Sequence, residues 1–314
     1  MKSILTTCIL LLLIVEILLF PQEAMLYASK GLTLWFDNMI PALFPFMVLS
    51  GLIIRLELAP YIVSLFHPLM HKIFRTNHYC EYAILMGFLC GYPMGALIIH
   101  DLLKEEKITL EQGNYLLSFC NNIGPVFFVS IVLPIFEKDL HIMLLSGMYL
   151  IPLLYGVIIR YTLCKNAFKQ CGNQVHPVIK VENEDTQFAS ALINSFNRAV
   201  SASLYLGACM IFFNMLRFIP AKIFGTSDIL PVLSSWILEV NGAITLTGEL
   251  YSSGNVNESI LLLPMLAIGG ISCICQTSGV LNDTGCNIKH HFIHKCIQAF
   301  LWLILMLLWL QMIK

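Results

Sequence analysis

The sequence predicts an all-α polytopic membrane protein, with about seven spanning helices plus two re-entrant hairpins in an inverted-topology repeat. Three observations carry this reading. Hydrophobic residues make up 58% of the chain and charged residues 12%, where a soluble domain carries about 25% charged residues. Mean hydropathy is +0.79. Lys and Arg fall mainly on one side of the membrane once two apolar stretches are folded back as hairpins. With 18 Lys+Arg and 19 Asp+Glu in 314 residues there is no charged shell for a soluble globule. There is no basic stripe either, so no nucleic-acid partner is expected.

Residues 4–20 form the first apolar run, behind Lys2. Its length, the internal Glu16 and the Phe-Pro-Gln-Glu ending favour an uncleaved membrane helix over a signal peptide. Residues 32–54 form a second span, close to the ~20 residues a bilayer needs. Residues 59–75 mix His67, Pro68, His71, Lys72 and Arg75 with aromatics and leucines, which suits a helix lying in the interface. Further apolar stretches occupy 82–99, 108–134, 141–162, 191–219, 229–247, 258–282 and 296–313. One long polar segment, 163–187, splits the chain. The expected organisation is an N-terminal membrane helix (1–30), a first repeat (31–162), a cytoplasmic polar linker (163–187), a second repeat (188–284) and a C-terminal membrane helix (285–314).

The two halves share an order of elements. Each opens with a spanning helix, continues through a mixed Pro-containing stretch, and then meets two apolar stretches broken near their centres. The breaks are Gly87–Gly95, Cys120–Pro125, Leu238–Gly248 and Gly269–Gly279. With 82–99 and 229–247 as hairpins, seven crossings and the N-terminus inside, thirteen of the 18 Lys and Arg lie on the inner side. The outer side then holds Lys30, Lys138, Arg217, Lys222 and Lys314. A full crossing at 82–99 would move the Arg160–Lys180 cluster outside, against the positive-inside rule. The model places residues 104 and 170 on the cytoplasmic side and 138 and 314 outside, and it makes the repeats inverted, as in many secondary transporters.

A helix broken in mid-membrane frees N–H and C=O groups, at several kcal/mol each unless protein, water or ligand satisfies them. The residues at the breaks are therefore the candidate substrate site: Gly91, Tyr92, Pro93, Gly95, Asn121, Asn122, Gly124, Glu239, Asn241, Gly242, Gly269, Gly270, Ser272, Gln276 and Ser278. The competing reading is that the glycines serve close helix packing and the amides act as interhelical glue. No Lys or Arg falls in these stretches, so a bound anion is expected to be balanced by helix dipoles, or by a co-transported cation or proton. Two roles are open for Glu239, a carrier of a coupling proton or a hydrogen-bonded cap on a broken helix. Asp37 and Asn38, at the start of the second span, are a further polar pair able to face the cavity.

The remaining motifs are weaker. Eleven Cys with no Cys-x-x-Cys pair read as buried thiols rather than disulfides or metal ligands. His290, His291 and His294 lie between Lys289 and Lys295 and read as a positive interfacial helix end, a metal pair being the other reading. No metal site and no cofactor are expected. No nucleophile–base constellation, Walker loop or zincin motif occurs, so the chain is not expected to be an enzyme.

The stretches Pro41–Phe46, Met86–Ala96, Asp101-Leu102, Cys120–Phe127, Leu238–Gly242 and Gly269–Gln276 resemble the YlbJ-like sporulation integral membrane proteins, which carry the nucleoside-recognition (gate) domain. The resemblance spans about residues 30–300, with Gly91-Tyr-Pro-Met-Gly-Ala96 and Asn121-Asn-Ile-Gly-Pro125 its most specific pieces. It implies two gate-type repeats in a multi-pass bacterial cell membrane, with the outer forespore membrane as the location during sporulation. It also implies transport of a small polar or anionic solute, dipicolinic acid foremost, with a coupling ion or proton. The alternatives are a non-transporting sporulation scaffold built on the same fold, and a nucleoside-type carrier. The central loop is short for that family.

Overall fold

The computed structural model describes residues 2–168, 184–224 and 229–313. Most of the polar linker, and positions 170 and 314 of the topology expectation, lie outside the described residues. Every regular element described is helical. In lipid this follows from the backbone, whose polar groups must pair within their own segment.

The chain opens with α1 (Lys2–Leu19) and α2 (Pro21–Thr33), the latter with proline at its first position, where no N–H is needed. A π-helical turn at Leu34–Met39 carries α2 into α3 (Ile40–Arg55), making Pro21–Arg55 one apolar rod. The interfacial stretch becomes two short helices, α4 (Ala59–Val63) and α5 (His67–Phe74). α6 (His78–Cys90) and α7 (Met94–Lys104) follow. The Lys107 amine, just past α7, lies 5.6 Å from the Tyr79 ring centre at the start of α6. The pair therefore folds back on itself, as the expected hairpin does. α8 (Leu110–Leu117) starts on a reciprocal cap between Thr109 and Gln112. Irregular chain follows until α9 (Pro125–Phe127), which runs on through π and 3-10 turns to Ile135. α10 (Lys138–Leu145) and α11 (Ile151–Tyr161) join through a π turn into one rod.

The second half repeats the order. α12 (Glu184–Leu216) and α13 (Phe218–Phe224) open it, α14 (Ile229–Leu238) and α15 (Val240–Ser252) form its hairpin, and α16 (Val256–Leu262) and α17 (Gly270–Val280) form its broken helix. α18 (Ile288–Ile313) closes the chain. Among the described residues, Pro21–Arg55, Lys138–Tyr161, Phe188–Phe224, Val256–Val280 and Ile288–Gln311 are long and apolar enough to cross a membrane; Ile4–Leu19 and Pro125–Ile135 are shorter apolar helices. The protein is thus an all-helical polytopic membrane protein.

The second hairpin turns at Glu239, inside the expected Leu238–Gly248 stretch, and α15 runs through both Gly242 and Gly248. Glu239 has extended backbone and caps α15, and a cap decides where a helix starts more firmly than an interior glycine does.

Two hydrophobic cores form, and each draws on both halves of the chain. The first joins α3, α6, α7 and α8 with Ala199, Ala202 and Leu206 of α12. The second joins Phe128, Leu144 and Met148 with Trp236, Leu266 and Trp302. Helices in lipid gain little from apolar burial itself, so close approach matters more. A side chain at Gly207 would collide with Trp35, and one at Gly147 with Trp302. These glycines hold α12 on the first rod and α18 on the π turn after α10.

Candidate functional site

The four breaks converge around one cavity of ≈ 670 Å³. Its wall includes Asp37, Asn38 and Met39 from the first π turn, Tyr92 from the first hairpin tip, and Ile123 and Gly124 from the break after α8. Ser130 and Ile131 of the second π turn, Asn241 of α15, and Cys273 and Gln276 of α17 complete it. π turns recur at functional sites because they displace backbone groups from the regular ladder. Of the sequence-derived site residues, Tyr92, Gly124, Asn241 and Gln276 reach the wall, joined by Asp37 and Asn38.

The others back the wall. Gly91 has φ +84 and lies against the backbone of Gly124, so any Cβ there would strike that backbone. Gly95 faces the Cys120 carbonyl, Gly269 faces Cys273 and Tyr92, and Gly270, with φ +76, faces the Trp236 carbonyl. Pro93 precedes α7 as its cap. Asn121 donates to Thr277 Oγ1 at 2.9 Å, tying the break after α8 to α17. Tyr92 donates its hydroxyl to the Ala267 carbonyl at 3.0 Å, tying the first hairpin tip to the last break. Gln276 donates to Ser272 at 3.0 Å, and Ser278 is half-buried on α17. The breaks of the two halves are thus stitched together, while the glycines chiefly allow close packing.

Glu239 is buried, and both its oxygens are used. Oε1 accepts from the Asn241 backbone at 3.1 Å and side chain at 2.7 Å; Oε2 accepts from the Gly242 N–H at 2.9 Å. A carboxylate at a helix N-terminus is stabilised by those donors and by the macrodipole.

No Lys or Arg is among the residues that line the cavity, yet two cations are buried close to the breaks. Lys295, read as part of an interfacial helix end, is 1% exposed and donates to Asn122 Oδ1 at 2.6 Å. Its amine lies 5.7 Å from the centre of the Tyr92 ring, directly behind a wall residue of the cavity. Arg217, placed on the outer surface, is also buried; it donates to Asn214 Oδ1 at 3.0 Å and Ser235 at 3.3 Å. Gly242 exists for it, since a side chain at 242 would collide with the guanidinium.

The reason Lys295 turns inward lies in α8. That helix ends in mid-protein, and its last carbonyls need donors. α18 supplies them from one face: His291 Nδ1 lies 2.8 Å from the Leu117 carbonyl, Gln298 donates to Ser118 O at 2.6 Å, and Lys295 reaches Asn122. His294 joins the same face through the Tyr155 hydroxyl at 2.6 Å. A signal for this was present in the sequence: His291, His294, Lys295 and Gln298 share one face of an otherwise apolar helix. The ten cysteines among the described residues are all free, as expected.

This architecture, with broken helices around a cavity among long apolar rods, defines a polytopic integral membrane protein with a candidate site at the breaks. Comparison with known proteins agrees. The chain is 25% identical, over an alignment of 339 residues covering 98% of it and 83% of the relative, to the sporulation integral membrane protein YlbJ of Bacillus subtilis (strain 168). That supports a likeness to the YlbJ-type membrane proteins over nearly the full chain. No protein-family model matches, and no solved structure does.

Proposed function

We propose that the protein is a membrane carrier of a small polar or anionic solute, foremost dipicolinic acid, working across the forespore membrane during sporulation. One observation supports this above the others: the cavity at the four breaks has the Lys295 amine directly behind Tyr92. Dipicolinate is a flat aromatic dianion. Its ring suits the apolar wall around Tyr92, Phe46 and Phe127, and its carboxylates suit the amides of Asn38, Asn241 and Gln276. Lys295 supplies positive charge close to a lining that has none of its own and includes the Asp37 carboxyl. Glu239 is not among the residues lining the cavity, and its oxygens accept hydrogen bonds from the start of α15. The like order of elements in the two halves supports a pair of gate-type repeats of inverted topology, the plan that alternating access uses.

The test is made in the host cell. Deleting the gene is expected to lower spore dipicolinate sharply, with the intact gene restoring it and a Lys295→Gln gene failing to. Normal dipicolinate in the deletion strain sinks the substrate assignment. Uptake of a neutral nucleoside but not dipicolinate by proteoliposomes would favour the nucleoside-type carrier instead.

A further inference from the structure

At the start of the first hairpin, away from the cavity, Glu81 is fully buried and surrounded by imidazoles. Its Oε2 lies 2.7 Å from His67 Nδ1 and 3.8 Å from His78 Nδ1; its Oε1 lies 3.7 Å from His71 Nδ1. The His67 ring stacks within 4.1 Å of His78 and 5.0 Å of His71, centre to centre. Ligand atoms of His67, His78 and Glu81 all fall within 4.8 Å of one another.

We propose that His67, His78 and Glu81 form a binding site for a divalent transition metal of the zinc type, which pins α5 to the start of α6. Two imidazoles and a carboxylate are a donor set that zinc accepts, with the fourth position left to water or to His71 beside it. Tetrahedral ligands at about 2.0–2.1 Å from zinc stand roughly 3.3 Å apart. The observed 2.7 and 3.8 Å separations straddle that value, so small rotations of the rings suffice. The local sequence builds the site deliberately. Asn77 caps α6 by accepting from the Cys80 N–H, which fixes the first turn. His78 and Glu81, three apart, then share one face. His67 enters from the first turn of α5.

The electrostatics ask for a cation. A buried carboxylate needs compensation, and Glu81 Oε1 accepts no hydrogen bond among the described residues. Metal binding takes the place of the hydrogen bond between His67 Nδ1 and Glu81 Oε2. The His67 and His78 side chains are 32% and 40% exposed, which leaves an entry path for the ion. The pair His290 and His294 is no equivalent, since no carboxylate among the described residues joins it and His294 already bonds Tyr155.

The experiment uses the full-length protein in detergent, stripped with EDTA, loaded with zinc chloride and desalted. The wild type is expected to retain about one zinc per chain by elemental analysis. Cobalt(II) in its place should show the absorption of a tetrahedral ion. Glu81→Gln, His67→Ala and His78→Ala should each reduce retained zinc by at least about ten-fold. The double variant His290→Ala/His294→Ala should retain it. His78 is the most tolerant of these positions, its side chain being 40% exposed, so that variant separates lost binding from lost folding. Failure of the wild type to retain zinc overturns the site, as does equal retention by well-folded His78→Ala.

Discussion

The Lys295 amine is sealed in the interior and forms no ion pair among the described residues. Substituting it by Gln leaves a donor for Asn122 but removes the charge. If the amine balances the solute, dianion uptake should fall by about ten-fold or more, since a hydrogen bond to a charged group contributes about 1.5–3 kcal/mol. Flux in proteoliposomes, normalised to inserted protein, measures this; unchanged flux removes Lys295 from the binding role. Glu239 illustrates the opposite outcome. Its three hydrogen bonds at the head of α15 are those of a cap. Glu239→Ala should lower stability by about 1–2 kcal/mol, read as thermal melting in detergent. Glu239→Gln should retain most of the stability and keep flux under a pH gradient. Loss of gradient-driven flux alone in the Gln variant would return Glu239 to proton coupling.

Among elements, the end of α7 joins α3, α12 and the turn before α18 through charge. Asp101, 4% exposed, lies 3.4 Å from Arg198, 4.0 Å from Arg55 and 2.9 Å from His100. His100 reaches Asp283 at 3.0 Å, and Lys104 reaches it at 2.7 Å. Asp101→Ala leaves two partly buried guanidinium groups without their shared acceptor and should cost about 1–3 kcal/mol, visible as a lower melting temperature. Asp283 lies in the turn between α17 and α18, and its hydrogen bond to Lys104 holds its carboxyl below the usual range. A lowered carboxyl contributes stability fully above its unfolded value of about 3.9 and loses it as pH falls through the folded value. Asp283→Asn should therefore flatten the acid limb of the stability profile below about pH 4, and leave neutral stability less affected by further acidification. An unchanged acid limb contradicts the coupling. These contacts were invisible in the sequence, because the partners of Asp101 lie on helices distant along the chain. Caps were legible, being local; Thr109 and Gln112 are three residues apart.

At the scale of the whole molecule, two basic residues expected on the inner side, Arg75 and Arg160, meet across the chain. Gln112 donates to the Ala167 carbonyl at 3.3 Å, the Arg160 guanidinium donates to the Arg75 carbonyl at 3.0 Å, and the Asn287 N–H donates to Asn114 at 2.8 Å. Phe136 packs on Tyr251, and Lys222 packs on Phe20. Withdrawing buried Lys295 and Arg217 from the count leaves the bias between the sides intact. Cysteines introduced at 104 and 165, in a background without reactive native thiols, should both label from the cytoplasmic side, and one at 138 from outside. Labelling of 104 and 165 from opposite sides breaks the hairpin topology.

The sequence by itself determined the helical membrane class, the positions of most spans, the folded-back first hairpin and the existence of breaks. Those properties follow from hydropathy, from proline and glycine, and from charge bias, all of which act within one segment. Only the tertiary structure decided that Asp37 and Asn38 face the cavity, that Gly91 and Gly242 serve packing, and that Lys295 and Arg217 turn inward. The physical reason is that an interior cation is decided by which unpaired carbonyls and amides meet it, and these come from helices remote in the chain. A lysine near a helix end reads as interfacial until the broken end of α8 is placed against it.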